Sequence, residues 1–433
     1  MGYRECRTAE AGIGMRCYLC DTDGTGGHLK TVPEDFVVRE ISDSPREKED
    51  GKYTIATVTT RNWETNRLVR MLSRTMGISR ERIGFAGTKD KRAITTQLMS
   101  FYGNPDLGKV DLKDVSISGA YRGARGIQIG DLIGNSFEIT VRDCSAPISE
   151  IERIISEDVR TIKKTGGFPN YFGVQRFGSV RPVTHLVGER LVRGDFEGAV
   201  RTYISFTTPE EEPELREKRE SFAGRDDWDS MMKEMPENMS FERMLAGHLA
   251  ENPGDWSGAI EILPTNLQMM FVHAYQSCLF NEMLSRRMES GLPLSMPVEG
   301  DIIIPLDSNG IPQHENPILT TQKNIDLVAR QVRVGRAFVT ITLFGQDSIL
   351  CEGEMGEIER KVIEEQKLSQ EDFNIPELPR CSSKGSRREI LCPLKDLKSS
   401  VGEVSYTLSF SLPKGNYATC LLREFMKSEM RDY

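Results

Sequence analysis

The sequence predicts an α+β protein whose strands and amphipathic helices are divided between two cores. Its 433 residues exceed what one compact core of ordinary size takes up, so we expect two domains, or one domain that carries a large insertion. Strand patterns occur near both ends of the chain, whereas mixed helical segments begin after Gly167. The composition, with 38% hydrophobic and 28% charged residues, is typical of a globular protein.

The N-terminal part of the chain carries two strand patterns followed by one helix. Residues 31–41 predict a turn and then a short strand, and residues 53–59 predict a second strand. From Asn66, apolar residues recur every four positions while arginines lie at other angles. This pattern predicts an amphipathic helix with a basic side that ends near Gly77.

A loop between two strands follows this helix. Residues 83–86 and 94–102 predict strands, so residues 87–93 form a loop held by the sheet, where chemistry is often located. Further patterns predict a strand beginning just after Asn135, a helix over 148–162 closed at Gly166, a long helix over 265–290, strands at 302–304 and 337–343, a charged helix near 357–366, a strand over 404–412 and a short helix from Tyr417.

Charge is distributed unevenly along this acidic chain. The formal net charge is −9, yet residues 61–92 contain nine basic and three acidic residues, whereas residues 210–255 contain fourteen acidic and six basic ones. The basic stretch could bind a polyanion while the acid lies elsewhere. Charge alone leaves open a second interpretation, in which a solvated basic helix face accompanies an acidic loop.

The sequence offers no sign of a membrane segment, a secretory signal or a metal centre. No apolar run approaches the roughly 20 residues that span a bilayer, and the N-terminus lacks a continuous apolar segment. The only close cysteine pair, Cys17 and Cys20, has no second pair at zinc-finger spacing. We therefore expect a cytoplasmic protein with reduced thiols, without metal or membrane partner.

The segment Gly-Phe-Ala-Gly-Thr-Lys-Asp-Lys-Arg-Ala-Ile-Thr-Thr-Gln occupies residues 84–97. It resembles the signature AGxKDxxAxTxQ of the TruD family of pseudouridine synthases. Further blocks resemble the same family in the same order, at residues 26–30 leading into 34–40, at 134–137, at 169–178 and at 415–424. The resemblance therefore covers nearly the whole chain.

The resemblance implies an α+β architecture with the pseudouridine synthase fold. A mixed, largely antiparallel sheet flanked by helices would be formed by residues 1–166 and closed by residues 388–433. An inserted α+β TRUD domain would occupy residues 167–387. RNA would lie in the cleft between the two domains, bound through phosphates, shape and one extruded base.

The resemblance also implies an isomerase that converts uridine to pseudouridine in tRNA, with uridine 13 of the D arm as the family's usual target. Such a reaction replaces the bond from C1′ to N1 by one from C1′ to C5, so it needs no redox cofactor and no energy source. It does need a nucleophile, and a carboxylate can attack either the base or the sugar. Asp90 is the expected nucleophile, and the alternative for a lone Asp is a surface residue in a polar turn.

The resemblance implies several further site residues. Lys89, Lys91 and Arg92 would favour the ionised form of Asp90 if their side chains approach it. A uridine in folded RNA must be flipped out of its stack, and Phe137 would stack on the flipped base, unless it is simply a core residue of its strand. Asn135 would hydrogen-bond the base edge or fix the loop.

The remaining residues of the expected site would line the pocket or bind the RNA backbone. Lys30 would be a pocket base or a phosphate contact, and Lys89 would line the same pocket. Residues expected to bind RNA are Arg67, Arg70, Arg74, Lys91, Arg92 and Arg176. Whether Gln175 and Arg176 touch RNA or brace the domain junction stays open. The expected partner is tRNA, bound by a monomer without any cofactor.

Two other functions compete with this interpretation. Residues 21–25 match the DxDGT motif of haloacid-dehalogenase phosphatases, which would use Asp21 and Asp23, with Asp226 and Asp227 as an acidic metal motif. That chemistry requires the first Asp to end a buried strand of a doubly wound sheet and a helix to follow it, whereas Gly26 and Gly27 predict a turn and residues 30–38 predict a strand. A catalytically inert RNA-binding protein is the other alternative, and the presence of Asp90 favours an enzyme over it.

Overall fold

The computed structural model describes residues 3–6, 8–307 and 311–433, and within these ranges no helix is both long and apolar enough to cross a membrane. The chain forms two compact units. The sheet unit comprises residues 22–166, 392–428 and 432–433, and the helical unit comprises residues 167–391, 429–431 and the described residues up to Asp21.

The predicted boundary differs from the structure at the N-terminus, which belongs to the helical unit rather than to the unit of residues 22–166. Arg16 forms ion pairs with Glu282 and Glu289 at 2.8 and 2.9 Å. Gly14 adopts a left-handed φ of 81°, and a Cβ atom there would lie 2.7 Å from the carbonyl oxygen of Cys278. These contacts are specific to the helical unit, and a sequence pattern does not reveal them.

The strands of the described chain, in order, are β1 (Arg4–Glu5), β2 (Cys17–Tyr18), β3 (Phe36–Ser42), β4 (Tyr53–Arg61), β5 (Ile83–Phe85), β6 (Ile94–Tyr102), β7 (Val115–Gly123), β8 (Leu132–Val141), β9 (Gly167–Pro169), β10 (Ile302–Pro305), β11 (Ile318–Leu319), β12 (Ala337–Leu343), β13 (Ser386–Glu389), β14 (Leu391–Pro393), β15 (Lys395–Val401) and β16 (Tyr406–Pro413).

The α-helices are α1 (Thr65–Met76), α2 (Ile148–Thr165), α3 (Thr184–Val192), α4 (Phe196–Ser205), α5 (Pro213–Phe222), α6 (Trp228–Glu234), α7 (Ser240–Glu251), α8 (Trp256–Glu261), α9 (Thr265–Glu289), α10 (Ile325–Arg333), α11 (Gly353–Glu365) and α12 (Ala418–Met426).

The sheet unit is built on an eight-stranded mixed sheet with the order β15-β16-β8-β3-β6-β4-β7, and β5 also pairs with β6. β3 and β6 run parallel, whereas the other pairs are antiparallel. The mixed, largely antiparallel α+β fold expected from the sequence is confirmed. The C-terminal segment completes the sheet, because β16 pairs with β8 along its whole length.

One face of this sheet, the site face, carries Val38, Phe137 and Phe410 in a single register row. At the β4 and β6 end, buried leucines of α1, Leu68 and Leu72, pack in one cluster with Val58 and Met99. At the other end, the ring of Phe425 on α12 lies 6.4 Å from that of Tyr406. Helices therefore pack on the two ends of the site face.

The helical unit packs around α9, which is buried along most of its length. α3 and α11 pack against this helix. A four-stranded antiparallel sheet of order β11-β10-β12-β13 completes the unit. Arg287 near the end of α9 binds Asp301 with both side chains fully buried, which ties the helix to the start of β10.

The acidic stretch of residues 210–255 folds into the helices α5 to α7 and leads into α8, so it is not the acidic loop of the second interpretation. Many of its carboxylates form ion pairs. Buried Glu211 and Glu242 both contact Arg219, at 3.0 and 2.9 Å. Asp226 pairs with Arg201 at 2.5 Å. Arginines neutralise much of the acid inside the fold, so the local excess of acid does not mark a loop.

A buried histidine of the helical unit should make stability depend on pH. Burial lowers the pKa of His185 to about 4, and its Nδ1 has no hydrogen-bond partner among the described residues. Between that value and the ordinary pKa of 6.5, the unfolded chain binds a proton that the folded chain does not. The folded state with neutral His185 is therefore most stable above about pH 6.5, and this part of the free energy of unfolding is lost as the pH falls towards 4.

We expect His185→Gln to reduce the pH dependence of folding. Between pH 7 and pH 5, the wild-type free energy of unfolding should fall by roughly 2 kcal/mol more than that of the variant. Urea titrations of both proteins at the two pH values measure this difference. An equal fall in both proteins would mean that His185 is not buried in the neutral form.

Candidate active site

The loop that carries Asp90 connects β5 to β6 and is anchored at both ends. The carbonyl oxygen of Ala86 accepts from the Gly130 amide at 3.2 Å. The carbonyl oxygen of Ala93 accepts from the Asn62 amide at 3.1 Å. Between these points the Asp90 side chain is 53% exposed. The loop therefore presents this carboxylate to solvent from a fixed base.

Lys30 is the cation that lies beside Asp90. Its Nζ is 3.7 Å from Asp90 Oδ2 and 4.4 Å from the ring centroid of Phe36. Lys30 has a φ of 57°, which a residue other than glycine seldom adopts. Among the residues that the structure describes, no other ion pair reaches the Asp90 carboxylate. The turn at Lys30 thus directs its ammonium between an acid and an aromatic ring.

Phe137 lies on the site face in β8 and is 8% exposed. Its ring stacks on Phe410, with centroids 5.3 Å apart and planes at 24°, and it meets the Phe36 ring edge-on at 6.3 Å. A chain of contacts through Lys30 and Phe36 therefore leads from Asp90 to Phe137. Phe137 is largely packed, with Phe410 against one face of its ring.

A row of polar side chains crosses the site face beside these rings. Glu40 on β3 faces Asn135 on β8. On the other side of β3, Val38 faces Thr95, so Gln97 lies two positions further along the same face. Asn135 Oδ1 and Gln97 Oε1 are buried without a hydrogen-bond partner in the described chain. These two carboxamides place unused hydrogen-bonding groups on the site face.

The three basic residues around Asp90 differ in what they contact. Lys89 Nζ donates to Glu40 Oε2 at 2.5 Å, and these two side chains are 4% and 1% exposed. Lys91 and Arg92 are exposed. The structure thus differs from the expectation that these neighbours in sequence approach Asp90, because Glu40 holds the Lys89 ammonium and the nearby cation is Lys30.

Helix α1 begins beside the Asp90 loop and turns its arginines to solvent. The Lys89 amide donates to Thr65 Oγ1, at the first residue of the helix, at 2.9 Å. Arg67, Arg70 and Arg74 are exposed, as the helical pattern predicts. The helix has defined ends, since the side chain of its N-terminal capping glutamate accepts two amides and the residue after its end is a left-handed glycine.

Gln175 and Arg176 belong to the helical unit, on the short 3₁₀ helix Val174–Arg176. Arg176 Nε donates to Ser277 Oγ on α9 at 3.4 Å, and the guanidinium lies 5.6 Å from the ring centroid of Phe172. Gln175 is exposed. Arg176 thus makes contacts inside its own unit, whatever else it binds.

The geometry contradicts the phosphatase alternative. The nearest strand before Asp21 is β2, a two-residue strand that pairs only with β1 in the described chain. No helix follows within residues 22–32. Asp21 and Asp23 are exposed and do not end a strand of a doubly wound parallel sheet. The match to DxDGT is therefore a coincidence of sequence.

Cys17 and Cys20 are the close cysteine pair that the sequence offers as possible metal ligands. Cys17 and Cys20 are buried in the helical unit. Within the described ranges, no group of three or more His, Cys, Asp or Glu side chains is arranged to hold a metal ion.

Two residues of the site face, Glu40 and Gln97, were not among the expected site residues. Each lies in a block that resembles the family, so the motif included them without indicating a role. A signal for Glu40 was present in the strand pattern, because it continues the alternation of Phe36 and Val38 and so places an acid on the buried face. An acid at such a position needs a partner, and Lys89 is that partner.

Comparisons with known proteins agree over almost the whole chain. The family model described as tRNA pseudouridine synthase D (TruD) matches residues 12–425. A probable tRNA pseudouridine synthase D from Methanococcoides burtonii is 44% identical over 97% of both chains. One from Halobacterium salinarum is 40% identical over 98% of both. A crystal structure of a Methanosarcina mazei protein with the same family description has a TM-score of 0.88 and 41% identity, and the match covers 99% of this chain and 100% of that one.

Proposed function

This chain belongs to the TruD family of tRNA pseudouridine synthases, and we propose that it isomerises uridine 13 in the D arm of tRNA, with Asp90 as the nucleophile. Family membership supports the reaction class and the tRNA substrate. Position 13 follows from the resemblance to the family. The monomeric state and the cytoplasmic compartment stay predictions.

The proposed reaction breaks one bond and forms another without a change of oxidation state. The bond from C1′ to N1 of the uracil is cleaved, and C1′ then bonds to C5. The proton on C5 leaves and N1 gains one, so atoms and electrons balance within the nucleotide and water. The Asp90 carboxylate attacks C6 of the base or C1′ of the sugar and is released when the new bond forms.

The single observation that carries the proposal is the setting of Asp90. Its carboxylate is half exposed on an anchored loop, with the Lys30 ammonium 3.7 Å away. A nucleophile must be accessible to its substrate, and the half-exposed Asp90 carboxylate meets that requirement. Lys30 is also placed to meet a phosphate of the flipped nucleotide, which would draw its ammonium towards the substrate as the base enters.

Phe137 and Asn135 are proposed to receive the extruded uracil. Phe410 takes one face of the Phe137 ring, so the base would use the remaining edge and face. Stacking of this kind contributes on the order of 1–3 kcal/mol per base. Asn135 Oδ1, which has no hydrogen-bond partner within the described chain, would accept from N3–H of the uracil, and the amide nitrogen of Asn135 would donate to a uracil carbonyl.

The surface beside the loop is proposed to hold the RNA backbone. Arg67, Arg70 and Arg74 on α1 are exposed, as are Lys91 and Arg92 on the loop itself. Phosphates near the flipped uridine would therefore meet a run of cations. In the helical unit, Arg176 is the proposed phosphate contact, with its guanidinium stacked on an aromatic ring. These contacts position the RNA and do not read its sequence.

Replacing the three α1 arginines by Gln should weaken tRNA binding and flatten its salt dependence. Each phosphate contact that is lost removes about 0.7–0.9 from the slope of log K against log salt, so the triple variant should lose roughly 2–3. The helix should persist because Gln forms helix about as well as Arg. Filter binding over a salt series measures both quantities.

A matched control removes the same charge from another helix of the sheet unit. Arg160, Lys163 and Lys164 on α2 are also exposed, and their triple Gln variant should keep the wild-type slope. Neutralising Glu210, Glu212 and Glu214 should likewise change little, whereas Glu211 must be spared because it is buried against Arg219. Equal slopes for wild type and the α1 variant would mean that this helix faces away from the RNA.

The proposed position is tested by mapping pseudouridine in tRNA transcripts that differ at one nucleotide. Wild-type protein should modify a tRNA with uridine at position 13 and should leave the same tRNA with cytidine there unmodified. Pseudouridine at another position in both transcripts would refute position 13 while leaving the reaction class intact.

A further inference from the structure

Glu40 is an acid on the buried side of a strand, and both of its carboxylate oxygens are used. Its side chain is 1% exposed. Oε1 accepts from the hydroxyl of Ser42, and Oε2 accepts from Lys89 Nζ at 2.5 Å. A buried carboxylate with this many donors is fixed in one orientation. Because Glu40 lies on a central strand of the sheet, its carboxylate has a fixed position and can hold the side chains that bind to it.

Lys89 is held from three directions. Its backbone amide donates to Thr65 Oγ1 at 2.9 Å, which fixes it to the start of α1. Its ammonium donates to Glu40 and, at 3.4 Å, to the carbonyl oxygen of Gly87 in its own loop. The side chain is 4% exposed. Lys89 therefore connects the sheet, the helix and the loop at the residue that directly precedes Asp90.

Asp90 has no comparable anchor of its own. The structure gives its side chain one ion pair, to Lys30 at 3.7 Å, and 53% exposure. The position of its carboxylate thus depends on the backbone that Lys89 holds. We propose that Glu40 is a positioning residue for the isomerisation, which holds Lys89 and thereby sets where the Asp90 carboxylate stands. The inference rests on the proposed function of Asp90.

The charge of Glu40 matters as well as its shape. A buried ammonium is stable only when it is paired, and a neutral amide in place of the carboxylate cannot compensate it. In Glu40→Gln, the Lys89 side chain would turn towards solvent and would draw its backbone, and Asp90 with it, out of place. Displacement of a reacting group by about 1 Å can cost on the order of 10²-fold in rate.

The test compares two Glu→Gln variants in single-turnover reactions with excess protein over tRNA. Glu40→Gln removes the buried pair. Glu34→Gln is the matched control, because Glu34 precedes the same strand and pairs with Arg61 at 2.6 Å on the surface, where the two side chains are 49% and 41% exposed. The rate constant at saturating protein and the protein concentration at half-saturation are measured separately for each.

For Glu40→Gln we expect the saturating rate constant to fall by about 10²-fold while the half-saturating concentration stays within about twofold of wild type. Glu34→Gln should match wild type in both quantities. A purely structural role would lower the thermal midpoint and the folded fraction but would leave the rate constant of the folded protein unchanged.

A second comparison tests whether Glu40 acts through Lys89. Lys89→Met and Glu40→Gln should each slow the reaction, and the double variant should be about as slow as the slower single variant, because the two residues act as one unit. If the fold-losses in rate of the two single variants multiplied in the double variant, the proposal would be overturned. A Glu40→Gln rate constant equal to that of Glu34→Gln would overturn it as well. If wild type forms no pseudouridine at all, the proposed function fails instead.

Discussion

Asp90→Asn is expected to abolish pseudouridine formation while the fold and tRNA binding stay intact. The substitution keeps the volume of the side chain but removes the nucleophilic oxygen. We expect the single-turnover rate constant to fall by at least about 10⁴-fold, which corresponds to more than about 5 kcal/mol of transition-state stabilisation. The measurement is pseudouridine formed in tRNA over time, followed by nucleoside analysis.

The fold should tolerate this change because Asp90 contributes little to stability. Its side chain is half exposed and its ion pair to Lys30 is long, at 3.7 Å, and such pairs contribute about 0–1 kcal/mol. Circular dichroism and the tRNA dissociation constant should therefore match wild type. Asp21→Asn, at an exposed acid of the rejected phosphatase motif, is the control and should keep full activity. Substantial turnover by Asp90→Asn would exclude Asp90 as the nucleophile.

The largest expected loss of stability follows from Asp301→Asn in the helical unit. Asp301 binds Arg287 through both oxygens, at 2.6 and 2.8 Å, and both side chains are fully buried. Arg287 also donates to the carbonyl oxygen of Pro293, and Asp301 accepts the amide of Val298. Removing one charge leaves the buried guanidinium uncompensated, which costs about 3–5 kcal/mol.

Urea unfolding measures this loss. Asp347→Asn is a matched control, since Asp347 is 67% exposed and lies 4.0 Å from Lys384. Its free energy of unfolding should stay within about 0.5 kcal/mol of wild type. A loss below about 1 kcal/mol for Asp301→Asn would mean that water or another group compensates Arg287, contrary to the buried geometry described.

The elements that the sequence predicted well are those with a buried face. β6 and β16 each pack one side in a core, and α9 is long and buried along most of its length, so the ends of these three elements were predicted within about two residues. β7 and β15 were missed. Both are edge strands of the large sheet. β15 is rich in exposed polar and charged residues, and β7 alternates only over its first four residues before the exposed Gly119 and Ala120.

Site residues within a dense sequence motif could be predicted, whereas side-chain contacts between distant parts of the chain could not. Asp90 could be identified because its neighbours in sequence form a dense motif. The direction of the Lys89 side chain could not, because it depends on an acid 49 positions away in sequence. Likewise, the ion pair of Lys30 with Asp90 depends on a left-handed backbone conformation at Lys30, which the sequence pattern does not predict.

Release of tritium from tRNA labelled at C5 of uridine distinguishes isomerisation from RNA binding alone. Formation of the bond between C1′ and C5 expels the C5 hydrogen, whereas RNA binding alone leaves it in place. With wild-type protein in excess and no added cofactor, we expect release of the label in step with the appearance of pseudouridine at position 13. Tight tRNA binding without any release of label would contradict this expectation and would identify the chain as an RNA-binding protein without isomerase activity.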